Sequence, residues 1–223
     1  ASLRDMELLN VTSTSLTPEA LLQEAGTVFA RFDSRTQDSG NVSYGVAVDD
    51  HRYFVKTAGS PDTPAFLDHY ARVRWLRNAR RMRLSLDHAA LPPLLNCIES
   101  SHGPMLVYEW RTGELLGVPA AQRGDVNKPF MCFKALPLSD LIAALDVVLD
   151  FHRFVCSRGW IANDFYDGSM LYDFDARRLT LIDLDLYRPG PFHNDMGRMF
   201  GSSRFMAPEE FESGAIIDQR TTV

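Results

Sequence analysis

The sequence predicts an α+β protein of two units, a small antiparallel-sheet unit followed by a mainly helical one. Three observations carry this. Between Thr27 and Lys56 short β-prone runs alternate with turn-forming clusters, the pattern of a meander. From Gly113 to Pro137 the chain is loop-rich, with Gly117, Pro119, Gly124, Pro129 and Pro137. After Ser139 apolar residues recur at helical spacing. The 223 residues allow one or two domains with a sizeable core. The boundary is expected at 112/113, the start of the loop-rich stretch.

In chain order, Thr17-Pro18-Glu19 opens a helix with a capping hydroxyl, proline at the first helical position and an acid in the first turn. Gly26 ends it. Val28 and Phe29 begin a strand, Asp38-Ser39-Gly40-Asn41 forms a turn, and 42–48 reads as a second strand. Asp49-Asp50-His51 turns the chain into a third, Tyr53-Phe54-Val55-Lys56. Pro61 and Pro64 precede a helix expected over 65–82, with Phe66, Tyr70, Val73 and Leu76 or Arg77 near helical spacing. The stretches 91–95 and 104–110 supply two more strands. In the second unit Ser139-Asp140 is expected to cap a helix whose apolar stripe is Leu141, Leu145, Val148, Leu149, His152 and Val155, ending near Gly159. Strands follow through Met170-Leu171-Tyr172 and Leu179-Thr180-Leu181-Ile182.

Composition excludes several classes. With 23 Lys and Arg against 29 Asp and Glu, the net charge of −6 gives no global attraction to nucleic acid or anionic membrane. Arg72, Arg74, Arg77, Arg80, Arg81 and Arg83 do cluster on one helix. Nucleic-acid binding is the sharp reading of that cluster; a solvated face balanced by Asp62, Asp68 and Asp87 is the favoured one. Cys97, Cys132 and Cys156 are odd in number and widely spaced, so reduced thiols and a cytoplasmic setting are expected. No apolar run reaches the ~20 residues of a membrane span.

The chemistry concentrates in Asn163-Asp164-Phe165-Tyr166-Asp167-Gly168-Ser169 and Leu181-Ile182-Asp183-Leu184-Asp185. An aspartate on a short loop, a second oxygen group at Ser169 and another aspartate closing an apolar strand form the set that phosphoryl transfer from a nucleotide needs. One carboxylate orients or deprotonates the attacking hydroxyl, and two oxygens hold magnesium against the phosphates.

Over roughly 38–222 the order of these parts resembles the protein-kinase-like superfamily, which includes aminoglycoside and choline phosphotransferases. Tyr53-Phe54-Val55-Lys56 looks like the strand carrying the phosphate-binding lysine. Met105-Leu106-Val107-Tyr108-Glu109-Trp110-Arg111 resembles the hinge joining two lobes, with Tyr108 at the gatekeeper position and Glu109 and Arg111 at the adenine-binding backbone. Asp164 matches the catalytic aspartate, Ser169 the magnesium-binding asparagine, and Asp183 the metal-binding aspartate of the Asp-Phe-Gly motif; Asp185 adds a carboxylate that could join the metal. Gly201-Ser202-Ser203-Arg204-Phe205-Met206-Ala207-Pro208-Glu209 is similar to the end of an activation segment. The resemblance implies a two-lobed kinase fold, ATP and Mg2+ as cofactors, and a divergent bacterial-type serine/threonine protein kinase.

The chain also departs from that pattern. Gly40-Asn41-Val42-Ser43-Tyr44-Gly45 is thin for a glycine-rich loop, leaving Gly40, Asn41 and Ser43 as phosphate donors in phosphotransferase style. Asp68 is the one acid well inside the expected helix that could replace the glutamate partner of Lys56. Ala162-Asn163 stands where protein kinases have His-Arg, and Tyr166 where they have lysine. The acceptor is therefore a protein hydroxyl or, alternatively, a small alcohol; a third reading is a pseudokinase that binds nucleotide without useful turnover. The segment after Glu209 is short for the resemblance, so the chain is expected to continue past Val223, and a second copy would cover apolar surface left exposed.

Overall fold

Alternation in the first half resolves into five strands: β1 (Thr27–Phe32), β2 (Val42–Val48), β3 (His51–Thr57), β4 (Leu94–Ser100) and β5 (Gly103–Glu109). This computed structural model describes residues 8–33 and 39–222. The strands form one sheet in the order β1-β2-β3-β5-β4, every neighbouring pair antiparallel. One face buries Tyr44, Val46, Val48, Tyr53, Val55, Met105 and Val107 against helix α1 (Pro18–Ala25). That helix is capped as its sequence predicts: Thr17 Oγ1 accepts from the Ala20 amide at 3.3 Å, and Pro18 and Glu19 fill the first turn.

The opposite face carries Ser43, Lys56 and Leu106 in direct register, since Lys56 pairs with Ser43 on one side and Leu106 on the other. Helix α2 (His69–Ser85) covers part of this face with Leu76 and Ala79, together with Val73. It starts four residues later than the expected 65. Asp68 Oδ1 accepts from the Ala71 amide at 2.7 Å and so fixes the first turn there. Phe66 and Tyr70, expected on the packing stripe, are exposed.

The arginine row on α2 is not a single solvated face. Arg72 is 1% exposed, and its guanidinium donates to the carbonyls of Gly40 (2.6 Å), Ser60 (3.3 Å) and Asp68 (3.4 Å). Arg83 is buried and donates to Pro92 O at 2.8 Å. Arg77 forks onto both carboxylate oxygens of Glu99 at 3.1 and 3.3 Å. Backbone carbonyls and Glu99 thus supply much of the counter-charge expected from Asp62, Asp68 and Asp87.

Residue contacts divide the chain into two compact units, Ala1–Arg83 with Pro92–Trp110 and Leu84–Leu91 with Arg111–Val223. In the second, β6 (Glu114–Leu115), β8 (Met170–Asp173) and β9 (Arg178–Leu181) make a small antiparallel sheet. Strand β7 (Trp160–Ile161) pairs with β10 (Arg188–Pro189), and β11 (Phe192–His193) with β12 (Ile216–Ile217). The helices here are the short α3 (Pro129–Lys134) and the long α4 (Leu138–Ser157).

Only α4 meets the expectation of a mainly helical second unit. From Ile182 onward the described chain has two-residue strands and single 3-10 turns, because prolines at 189, 191 and 208 and four interspersed glycines interrupt any helical period. Pro137 rather than Ser139-Asp140 occupies the α4 cap, placing Asp140 in the first turn, where its charge suits the helix dipole. The buried line of α4 is Ala144, Phe151, His152 and Val155. Leu145 and Leu149, expected inside, are exposed with Leu138 and Ile142, since apolar residues flank this helix on more than one side. No helix among the described residues is long and apolar enough to cross a membrane.

Truncating Arg72 leaves three carbonyls without their donor. Arg72→Ala is expected to lower unfolding free energy by about 2–4 kcal/mol in urea titrations, whereas the exposed Arg80→Ala changes it by less than about 0.5 kcal/mol.

Candidate functional site

The second unit builds its site from the loop between β7 and β8 and from the turn after β9. Leaving Ile161, the chain enters a left-handed conformation at Asp164 (φ +61°), then makes a 3-10 turn over Asp167–Ser169 into β8. Met170 pairs with Leu181, and the Ile182 amide donates to Ser169 O at 2.9 Å. This ladder carries Asp183 to the side of Ser169. Asp183 is also left-handed (φ +57°), a region that costs energy for a residue with a Cβ and that aspartate tolerates better than most.

Asp164 is partly buried, and its carboxyl is pushed up to about 6. Burial is the main cause, the Asp183 charge comes next and the Glu210 charge third; a hydrogen bond from the Ser202 backbone opposes them. Ser169 is fully buried, and its hydroxyl has no hydrogen-bond partner among the described residues. Asp185 is buried and Asp183 exposed.

Several contacts hold this loop. Phe165 meets the His152 ring edge-on at 4.5 Å. Asp167, buried, pairs with Arg204 Nη2 at 2.8 Å, tying the loop to the segment that ends in Ala207-Pro208-Glu209. That segment makes one 3-10 turn over Pro208–Phe211. Glu210 Oε2 accepts from the Ala207 amide at 2.7 Å, and Thr221 Oγ1 donates to Glu209 Oε1 at 2.6 Å. Asn194, 1% exposed, gathers the rest: its side-chain amide donates to Gly197 O (2.5 Å) and Glu210 O (3.3 Å), and its Oδ1 accepts from the Met196 amide (3.0 Å).

The first unit contributes separately. Lys56 is buried beside Ser43, whose hydroxyl is fully buried and has no partner among the described residues; the same holds for Asn41 Oδ1. Gly40 is left-handed (φ +85°), and its carbonyl is taken by Arg72; a Cβ there would lie 2.2 Å from Ala65 Cβ. Gly45 does not belong to that turn. It lies within β2 under an aromatic cluster, where a Cβ would come within 2.7 Å of the Phe29 ring and 3.0 Å of Trp110. At the expected hinge, the Glu109 amide donates to Pro93 O at 3.0 Å and the Trp110 amide to Arg52 O at 3.1 Å. Arg111 belongs to the second unit and begins its longer segment.

The structure therefore brings Asp164, Ser169, Asp183 and Asp185 into one unit, and Gly40, Ser43, Lys56 and Glu109 into the other. Among the described residues no three His, Cys, Asp or Glu side chains converge as a metal-holding group. The donors that are present, carboxylates with an unsatisfied hydroxyl, are hard oxygens suited to magnesium, which commonly takes one or two protein carboxylates and completes its shell with phosphate and water. Sequence reasoning missed Asn194 and Tyr187, read Arg72 only as a member of the basic cluster and read His152 only as part of an apolar stripe. Their acceptors are mostly backbone carbonyls or distant rings, which leave no local signature. No family model matches the chain, and no curated protein matches it significantly.

Because the folded-state carboxyl of Asp164 titrates near 6 instead of 3.8, ionising it destabilises the fold. Its contribution is fully favourable below about pH 4 and is lost as pH rises through 6. Asp164→Asn is therefore expected to be more stable than the wild type by about 2–3 kcal/mol at pH 8 and equal to it at pH 4, measured by urea unfolding at both values.

Proposed function

We propose that this chain is an ATP- and Mg2+-dependent phosphotransferase, of serine/threonine protein-kinase type, that delivers a γ-phosphoryl group to a hydroxyl. The observation that carries the reading is the Asp164 loop: a carboxylate on strained backbone, lifted to about 6, beside the charge of Asp183 and in the same loop as the unsatisfied Ser169 hydroxyl. A group titrating near 6 is ionised at neutral pH yet holds a proton better than an ordinary carboxylate, which suits a base that orients an acceptor hydroxyl and takes its proton late. Asp183, Ser169 and Asp185 would hold the magnesium, whose chemistry is to neutralise charge on the transferring phosphates. Lys56 would fix the nucleotide phosphates, with donors from Gly40 and Ser43, and the backbone at Glu109 and Arg111 would recognise the base.

A second reading, nucleotide binding without transfer, is favoured by one observation: no complete metal-holding side-chain group is present among the described residues. Labelled ATP with autophosphorylation, generic protein substrates and a panel of small alcohols separates the two and identifies the acceptor. Asp164→Asn is expected to lower transfer on the order of 10²–10⁴-fold while Mg·ATP still raises the thermal midpoint. Asp183→Asn is expected to abolish the magnesium dependence of that rise. Stabilisation by Mg·ATP with no transfer to any acceptor establishes the second reading; no stabilisation at all defeats both.

A further inference from the structure

Tyr187 closes the turn that follows Asp183 and contains Asp185, its amide donating to Leu184 O at 3.1 Å. Its ring is wholly buried, and its hydroxyl lies 2.7 Å from His152 Nε2 on α4. The other ring nitrogen, Nδ1, lies 2.8 Å from Val148 O. A carbonyl can only accept, so Nδ1 carries the proton, and Nε2 accepts from the Tyr187 O–H. The same imidazole meets Phe165, the residue after Asp164, edge-on. Phe151 packs against both members of the pair, at 5.2 Å from His152 and 6.3 Å from Tyr187.

The buried hydrogen bond joins helix α4 to the Asp183–Asp185 turn, and the ring contact of His152 with Phe165 adds the Asp164 loop. Both aspartates sit on left-handed backbone, which persists only where the surroundings over-determine it. They also repel each other. Something must hold the two segments at a fixed spacing against strain and repulsion. Besides the Ile182–Ser169 backbone bond, the His152–Tyr187 pair connects to both: Tyr187 ends the turn after Asp183, and His152 meets Phe165.

We propose that His152 and Tyr187 are positioning residues that set the spacing between Asp164 and Asp183. Their effect on turnover rests on the phosphotransferase reading; their effect on the two segments does not. The test compares wild type with Tyr187→Phe, which removes one oxygen, with His152→Gln, whose side-chain carbonyl can still accept from Tyr187, and with His152→Phe, which cannot accept. Single-turnover transfer from Mg·ATP is measured alongside amide hydrogen exchange over 164–166 and 183–187.

In Tyr187→Phe and His152→Phe the saturated transfer rate is expected to fall about 10-fold or more, with the KM for ATP within about twofold of wild type. Both segments are expected to exchange faster together, while the β4–β5 amides do not change. His152→Gln is expected to recover most of the rate. An unchanged rate, exchange that rises in one segment alone, or equal loss in His152→Gln and His152→Phe overturns the proposal. If wild type transfers nothing, the phosphotransferase reading falls separately, and paired exchange decides the proposal alone: joint loss of protection upholds it and anything else overturns it.

Discussion

The second unit holds a carboxylate at an electrostatic cost: burial raises the Asp164 carboxyl, and the neighbouring Asp183 charge raises it further. Short-range ties hold the Asp164 loop in place: the Ile182 amide on Ser169 O, the Phe165 ring on His152, and the Asp167–Arg204 ion pair. The cost of burying the carboxyl shows as proton affinity at Asp164. On the phosphotransferase reading proposed above, a base with that property suits a reaction that must collect a proton from a hydroxyl.

The long irregular stretch after Ile182 makes sense in this light. It has little regular secondary structure, yet it must hold Arg204 and Glu210 in place. It does so by satisfying backbone groups with buried side chains, above all Asn194, and by capping one short turn with Glu210. The first unit uses the same device with the opposite charge. Arg72 draws the carbonyls of Gly40, Ser60 and Asp68 toward one point, which shapes the turn leading into Asn41 and Ser43.

Much of the fold is legible in the residues. Alternation locates β2 to the residue and β3 to within two residues, with His51 in the strand instead of the turn, and Thr17-Pro18-Glu19 marks the start of α1 because a cap is a local arrangement. The boundaries of α2 and α4 are less legible. A proline or aspartate before a helix can serve as cap at several positions, and tertiary packing chooses among them. The buried face of α4 is hidden for a related reason: Leu145 and Phe151 are equally apolar, and only the partner surface distinguishes them. Of the site, Asp164, Ser169 and Asp183 are legible because their spacing is sequential. His152, Tyr187 and Arg72 are not, since each acts across 32 to 35 residues of intervening chain.

The left-handed backbone at Asp164 and Asp183 bears on how such a site can change over evolutionary time. Asparagine and glycine are the residues that enter this conformation most readily, and both are a single base change away from an aspartate codon. The charge can therefore be erased without disturbing the turn that displayed it. Alanine, by contrast, would alter charge and backbone together. A lineage carrying this architecture can lose the carboxylate at either position, and regain it, without having to rebuild the loop.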